Sequence, residues 1–151
     1  MAIAALTGKD TIKINGRILN EFADGDVAVL TFPNDLMQVK TGKNGNSIFG
    51  FSNTGRQCEL VLKVIRGGAD DKFLNNLLAL MIQDPSIFTL LTGEFSKNVG
   101  DGAGNVIFDV YILSGGVFKK SPEVTENAEG DVKQAIAEWH FIFSNGPRIV
   151  G

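Results

Sequence analysis

Short runs that alternate apolar and polar residues, separated by turn residues, dominate the first half of the chain. Ile12 and Ile14 alternate with polar neighbours, and Asn15-Gly16 then offers a two-residue hairpin turn. Alternation with a period of two indicates strands that turn one face to a core. The strands predicted on this basis cover 11–15, 17–22, 27–32, 36–40 and 57–65, with a further turn at Asp24-Gly25.

A single helix is predicted over about 70–83. Asp70 and Asp71 place negative charge where a helix N-terminus favours it, and Pro85 forces the helix to stop. Apolar residues recur between them at helical spacing, namely Phe73, Leu74, Leu77, Leu78 and Met81. We expect this broad apolar stripe to pack across a sheet.

The second half of the chain returns to strand patterns. Strands are predicted over 88–95, 106–113, 116–120 and 136–143, with a hairpin turn at Gly100–Asn105 and an acidic connection over 121–133. The strand 57–65 places Cys58, Leu60, Leu62 and Val64 on one face, and 136–143 does the same with its aromatic residues. The fold class is therefore predicted to be mainly β with one helix.

Composition supports one domain covering 1–151. The 151 residues are 44% hydrophobic and include 18 Gly, 4 Pro and 11 Phe, which suits strands joined by tight turns. A net charge of −3 leaves no excess of Lys and Arg for a dedicated nucleic-acid binder. Because no run approaches the roughly 20 apolar residues that span a bilayer, and the N-terminus is a poor secretory signal, we expect folding in a cytoplasm without membrane contact.

Candidate chemistry is sparse, and the sequence predicts neither an enzyme nor a cofactor or metal site. Gly100–Asn105 lacks the Gly-Lys-Ser/Thr ending of a phosphate loop and the closing Glu of a calcium loop. His140 has no suitably spaced Ser or Cys partner, and Cys58 is expected to be a small core residue. The acidic residues Glu123, Glu126, Glu129 and Asp131 are expected to be solvated, since metal binding would require a convergence that sequence does not show.

Apolar residues occur on both faces of two predicted strands. Val61 and Ile65 oppose the core set of their strand, and Ile107, Tyr111 and Leu113 oppose an apolar set formed by Val106, Phe108, Val110 and Ile112. A soluble monomer rarely covers a second strand face in this way. Contact with other subunits would explain the pattern.

Six stretches together resemble the tail tube proteins of tailed bacteriophages. They are Asn15–Ala28, Val39–Asn46, Gly55–Arg66, Asp71–Leu78, Tyr111–Gly116 and Phe143–Arg148, and the resemblance extends over nearly the whole chain, from residue 15 to residue 148. The resemblance rests on the order of elements, a Gly-bounded strand, a Leu-rich helix and then a long hairpin. It implies a β-sandwich or partial barrel flanked by a helix, and hexameric rings that stack into a hollow virion tube through which DNA passes into the host.

The resemblance also implies placements and partners. The segment 40–47 matches the loop that reaches the next ring, with Thr41, Gly42, Lys43, Asn44, Gly45 and Asn46 as contact residues. Strands 57–65 and 106–113 are candidates for the sheet that closes the channel between neighbours. Expected partners are further copies of the chain, sheath, baseplate or tube-initiator and tail terminator proteins, with the tape measure protein and DNA held in the lumen without specific binding.

A tube that conducts DNA must not hold it, so the lumen is expected to be neutral to acidic. Glu59 and Asp109 are the channel-lining candidates, because each is a charge opposite its strand's main apolar set. Lys63 shares the face of Glu59, and a simple exposed pair of these two side chains is the alternative.

The sequence is compatible with several functions. A tube inside a contractile sheath is the first hypothesis, beside a flexible sheathless tail, a tailocin or a secretion-system tube. The main rival from another class is a monomeric β-barrel that carries a small ligand. That hypothesis predicts a roomy interior, whereas Trp139, Phe141 and Phe143 favour a filled one.

Overall fold

The computed structural model describes residues 2–8, 10–23 and 25–151. In this part of the chain, one α-helix, α1 (Ala69–Gln83), accompanies eleven strands. The strands are β1 (Ala5–Leu6), β2 (Thr11–Ile14), β3 (Arg17–Ile18), β4 (Ala28–Thr31), β5 (Met37–Thr41), β6 (Ser47–Phe51), β7 (Cys58–Ile65), β8 (Leu91–Gly100), β9 (Val106–Val124), β10 (Ile136–Asn145) and β11 (Arg148–Val150). The prediction of a mainly β fold with one helix is confirmed. Asp24, half of a predicted turn, lies outside the described residues.

An antiparallel sheet of nine strands, counted over the described residues, forms the body of the fold. Its strand order is β3-β2-β8-β9-β10-β7-β4, with β1 added to β8 and β11 added to β9. β5 and β6 form a separate hairpin.

One stretch of chain, residues 17–23, bonds to strands near both ends of the large sheet, and we call it the closing segment. Its first residues form β3 and pair with β2. Its last residues bond instead to β7: Glu21 O accepts from Ile65 N at 2.9 Å, and Ala23 N donates to Lys63 O at 3.0 Å. Because the same segment bonds to β2 and to β7, the sheet curls into a partly closed barrel.

The helix is tied to the closing segment by the buried carboxylate of Asp70. Asp70 is 0% exposed, and its Oδ2 accepts hydrogen bonds from the backbone N–H groups of Asn20 and Glu21, each at 2.9 Å. Arg17 donates from both Nε and Nη2 to Oδ1 at 3.2 Å. Glu21 returns a bond, since its Oε2 accepts from Asp70 N at 3.1 Å. This exchange resembles a capping box made between segments distant in sequence.

Aromatic side chains fill the interior of the barrel. Trp139, Phe141 and Phe143 alternate along β10 and are 0% exposed. The ring of Phe118 packs against Trp139 and Phe141, with centroids 5.5 and 5.0 Å away. Trp139 Nε1 donates to Asp71 Oδ1 at 2.9 Å, which satisfies the one polar atom of its ring system and fixes the first helical turn over the core.

The structure corrects two predicted boundaries. β8 begins at Leu91, not at residue 88, and runs to Gly100. A single strand of 19 residues, β9, replaces the two strands predicted over 106–113 and 116–120, and it also includes the first residues of the acidic connection. Gly115, at φ +64°, and Gly116 bend this strand without ending it. A Cβ on Gly116 would lie 2.4 Å from the ring of Phe143, so Gly is needed there for core packing.

Replacing Asp70 with Ala is expected to lower the free energy of unfolding by about 3–5 kcal/mol, because Arg17 and two backbone N–H groups would lose their buried partner. Urea unfolding followed by Trp139 fluorescence measures this. Asp26→Ala, at an exposed position, is the matched control. Equal midpoints for the two variants would contradict the structural role of Asp70.

Candidate interaction surface

The β5–β6 hairpin presents an apolar face that the described residues leave uncovered. Met37 lies opposite Phe51, and Val39 lies opposite Phe49, so these four side chains share one face. They are 49%, 54%, 59% and 68% exposed in that order. Every residue from 31 to 51 is exposed. The hairpin therefore projects from the barrel with its apolar face in solvent.

The predicted contact residues Thr41–Asn46 form the tip of this hairpin. The tip contains a short 3-10 turn over Lys43–Gly45, and Asn44 and Gly45 adopt positive φ angles of 67° and 81°. Gly42 N donates to Asn46 O at 2.6 Å, so the tip is ordered by its own backbone. The predicted loop 40–47 includes the ends of both strands. Sequence reasoning missed the apolar face behind the tip, although the alternation over 37–41 and 47–51 carries that signal.

A second apolar surface follows the first half of β9. Val106, Phe108 and Ile112 are 51%, 50% and 47% exposed, and Val110 lies between them on the same face. Leu113 is 1% exposed and lies on the opposite face. Of the two apolar sets predicted for this strand, the one that contains Leu113 therefore faces the core, and the other faces solvent.

The structure places Glu59 and Asp109 on opposite faces of the large sheet. Glu59 lies on the outer face of β7, and its Oε1 accepts from Lys119 Nζ at 2.7 Å. Asp109 lies on the core-side face of β9 and accepts from Arg148 Nε and Nη2 at 2.7 and 2.9 Å. These hydrogen bonds lower the pKa of the Asp109 carboxyl. The two candidates are therefore not brought together.

Four strands form a section of the sheet with two open edges. In the order β4-β7-β10-β9, with β9 contributing residues 117–124, we call this section the four-strand sheet. Pairing of β9 with β8 ends at Gly116, and beyond it the described residues provide no partner except β10. The far side of β4 likewise has no strand partner within the described residues. By contrast, β7 and the first half of β9 are paired on both sides.

The outer face of the four-strand sheet carries mixed charge. Its charged and titratable side chains are Glu59, Lys63, Lys119, Lys120, Glu123, Glu138 and His140. Three carboxylates therefore accompany three lysines, and the Glu59–Lys119 bond is the shortest ion pair among them. The carboxylates and lysines balance, so the face is close to neutral.

A groove of about 730 Å³ lies at the base of the hairpin. Phe32, Leu36 and Tyr111 line it together with Arg56 and Arg148. It lies outside the barrel, whose interior the aromatic core fills. None of the helices formed by the described residues has the length and apolar character needed to cross a membrane.

No protein-family model matches the chain, and a search of the curated proteins also returns no match.

Cys58 is expected to be unreactive in the folded protein. Its side chain is 0% exposed, and burial raises the pKa of its thiol from 9.0 to about 11. Near pH 9, iodoacetamide should therefore label the native chain far more slowly than the urea-unfolded chain, because the thiolate is the nucleophile. An unfolded chain releases this proton at lower pH, so the Cys58 contribution to the free energy of unfolding falls as the pH rises from about 9 to about 11. Mass spectrometry measures the labelling, and equal rates would contradict this burial.

Proposed function

We propose that this chain is the subunit of a tail tube, in which hexameric rings of the protein stack into a hollow virion channel for DNA. The observation that carries the proposal is the uncovered apolar face formed by Met37, Val39, Phe49 and Phe51. The open edges of the four-strand sheet and the resemblance to tail tube proteins support it.

The hairpin face requires a partner on energetic grounds. A two-stranded hairpin is marginally stable by itself in water, and exposed apolar patches of this kind mark interaction sites. Burying apolar area contributes roughly 25 cal/mol per Å², so contact with another subunit would stabilise the hairpin as well as the assembly. Because the hairpin projects beyond the barrel, we assign it to the contact between stacked rings, with its tip at Thr41–Asn46 reaching furthest.

The open edges supply a contact within a ring. Along β4-β7-β10-β9 the strands alternate in direction, since each neighbouring pair is antiparallel. An even number of strands means that β9 of one subunit can meet β4 of the next and continue the antiparallel pattern. Such a head-to-tail contact is heterologous and produces a closed ring when its rotation closes. Pro122 limits this pairing to about the stretch 117–121, because proline has no N–H to donate.

In such a ring the outer face of the four-strand sheet lines the lumen, since the inner face is occupied by the core. Glu59 then faces the channel, paired with Lys119. Asp109 lies outside this sheet, on the core-side face of β9. Because its carboxylates and lysines balance, the lining has no excess of positive charge that would hold DNA. A tube inside a contractile tail is the first hypothesis. The alternatives are a sheathless tail, a tailocin and a secretion-system tube.

A small-ligand carrier is the second candidate, and the groove beside Phe32 and Tyr111 is the observation that favours it. The filled barrel interior weighs against a carrier of the barrel-cavity type. Oligomeric state separates the two candidates, because a carrier is expected to stay monomeric at all concentrations.

Phe49→Glu is expected to prevent the formation of long tubes, because it places a charge in the apolar hairpin face. Ile48→Glu is the matched control, since Ile48 is the next residue of the same strand, is 64% exposed, and points to the other face. Negative-stain electron microscopy and light scattering of concentrated protein measure tube length, and circular dichroism checks the fold. A wild-type protein that remains monomeric at every concentration would overturn the proposal. Tubes of equal length in both variants would place the stacking contact elsewhere.

Glu59→Lys is expected to make tubes retain DNA at low salt, because it converts an acidic lining position to a basic one. Glu129→Lys makes the same charge change on an exposed residue of the acidic connection. Co-sedimentation of short duplex DNA with assembled tubes, at low and moderate salt, measures the difference. If both variants retain DNA equally, Glu59 does not line the channel.

A further inference from the structure

We propose that Glu123, Glu138 and His140 form a binding site for a divalent transition-metal ion. One ligand atom from each residue, a carboxylate oxygen or an imidazole nitrogen, lies within 4.8 Å of the other two. Metal–ligand distances of about 2.0–2.2 Å place the ligand atoms of a tetrahedral site about 3.4 Å apart, so side-chain rotations that bring the three atoms closer would complete the site. The inference is independent of the tail-tube proposal, because all three residues belong to one subunit.

The strand register brings these residues together. Glu138 and His140 are two positions apart on β10 and therefore share a face. Glu123 lies directly opposite Glu138 on β9. The register of this pairing shifts on both sides of His140, where β9 contributes extra residues. Such bulges redirect side chains and occur frequently beside functional sites.

Two features of the cluster are unfavourable without a cation. Glu123 and Glu138 are like charges placed directly opposite each other, which destabilises a sheet. His140 has a side chain only 14% exposed, and its Nε2 is buried with no hydrogen-bond partner among the described residues. The nearest carboxylate oxygen, Glu138 Oε1, is 3.4 Å from this nitrogen. A metal ion between them would neutralise the carboxylates and use the free nitrogen as a ligand.

The surroundings of the cluster indicate which ion fits. Glu123 and Glu138 line a groove of about 400 Å³ that also includes Lys63 and Asp131. Lys63 lies opposite Glu138 on β7, and Lys120 lies opposite His140 on β9, so two positive charges flank the cluster. Imidazole favours zinc and similar ions over magnesium and calcium. Three protein ligands leave at least one position for water, as in open zinc sites.

Isothermal titration calorimetry of the dispersed subunit with zinc chloride tests the proposal. We expect saturable binding of one ion per chain, and no comparable binding of magnesium. His140→Gln and Glu138→Gln should each weaken zinc binding by about tenfold or more, whereas Glu129→Gln, which removes a carboxylate outside the cluster, should leave it unchanged. Lys63→Gln should strengthen zinc binding, because it removes a repelling charge.

Further measurements distinguish a loss of metal binding from a failure of a variant to fold. Cobalt bound to the wild-type subunit should show visible absorption bands that zinc displaces, and circular dichroism reports whether each variant is folded. Absence of saturable zinc binding to the wild type would overturn the proposal. Equal losses in the Glu129 and His140 variants, or a folded His140 variant with wild-type affinity, would also overturn it. None of these outcomes depends on tube formation.

Discussion

The buried Asp70 carboxylate is the contact on which the barrel depends. Removing a charge from water costs several kcal/mol, and here Arg17 and the N–H groups of Asn20 and Glu21 offset that cost. The same contact fixes the start of α1 and the path of the closing segment. Because the closing segment bonds to β2 and to β7, this local set of hydrogen bonds helps to hold the barrel closed.

This closure explains why the remaining surfaces are available. The curled sheet uses its inner face for the aromatic core, so the outer face of the four-strand sheet is left to carry charge. The chain closes the barrel at β3 and leaves two other strand edges, on β4 and on the second half of β9, without partners among the described residues. The β5–β6 hairpin packs on neither the core nor the helix. The fold therefore separates the parts that stabilise the subunit from the parts that are proposed to join subunits.

Local pattern predicted most strands and the helix, because alternation and capping act over a few residues. It failed at Gly115 and Gly116, which resemble a break but allow β9 to bend around Phe143. The local pattern indicated only that Asp70 is a charge at the helix N-terminus, because the hydrogen-bond partners of Asp70 lie some fifty residues earlier in the chain. The cluster around His140 could not be predicted from the sequence either, because Glu123 is recognised as part of a strand only when β9 is known to continue past Gly115 and Gly116. Register and bulges are set by distant pairing, which periodicity does not encode.

The position of β10 has a consequence for synthesis on the ribosome. β10 lies in the middle of the sheet, between β7 and β9, and contributes Trp139, Phe141 and Phe143 to the core. A nascent chain that has emerged only as far as β9 therefore has neither a filled interior nor a completed four-strand sheet. Long-range pairing of this kind is slow to form. The residues of the exposed hairpin, by contrast, are synthesised early, so nascent chains carry an apolar surface before they have a core.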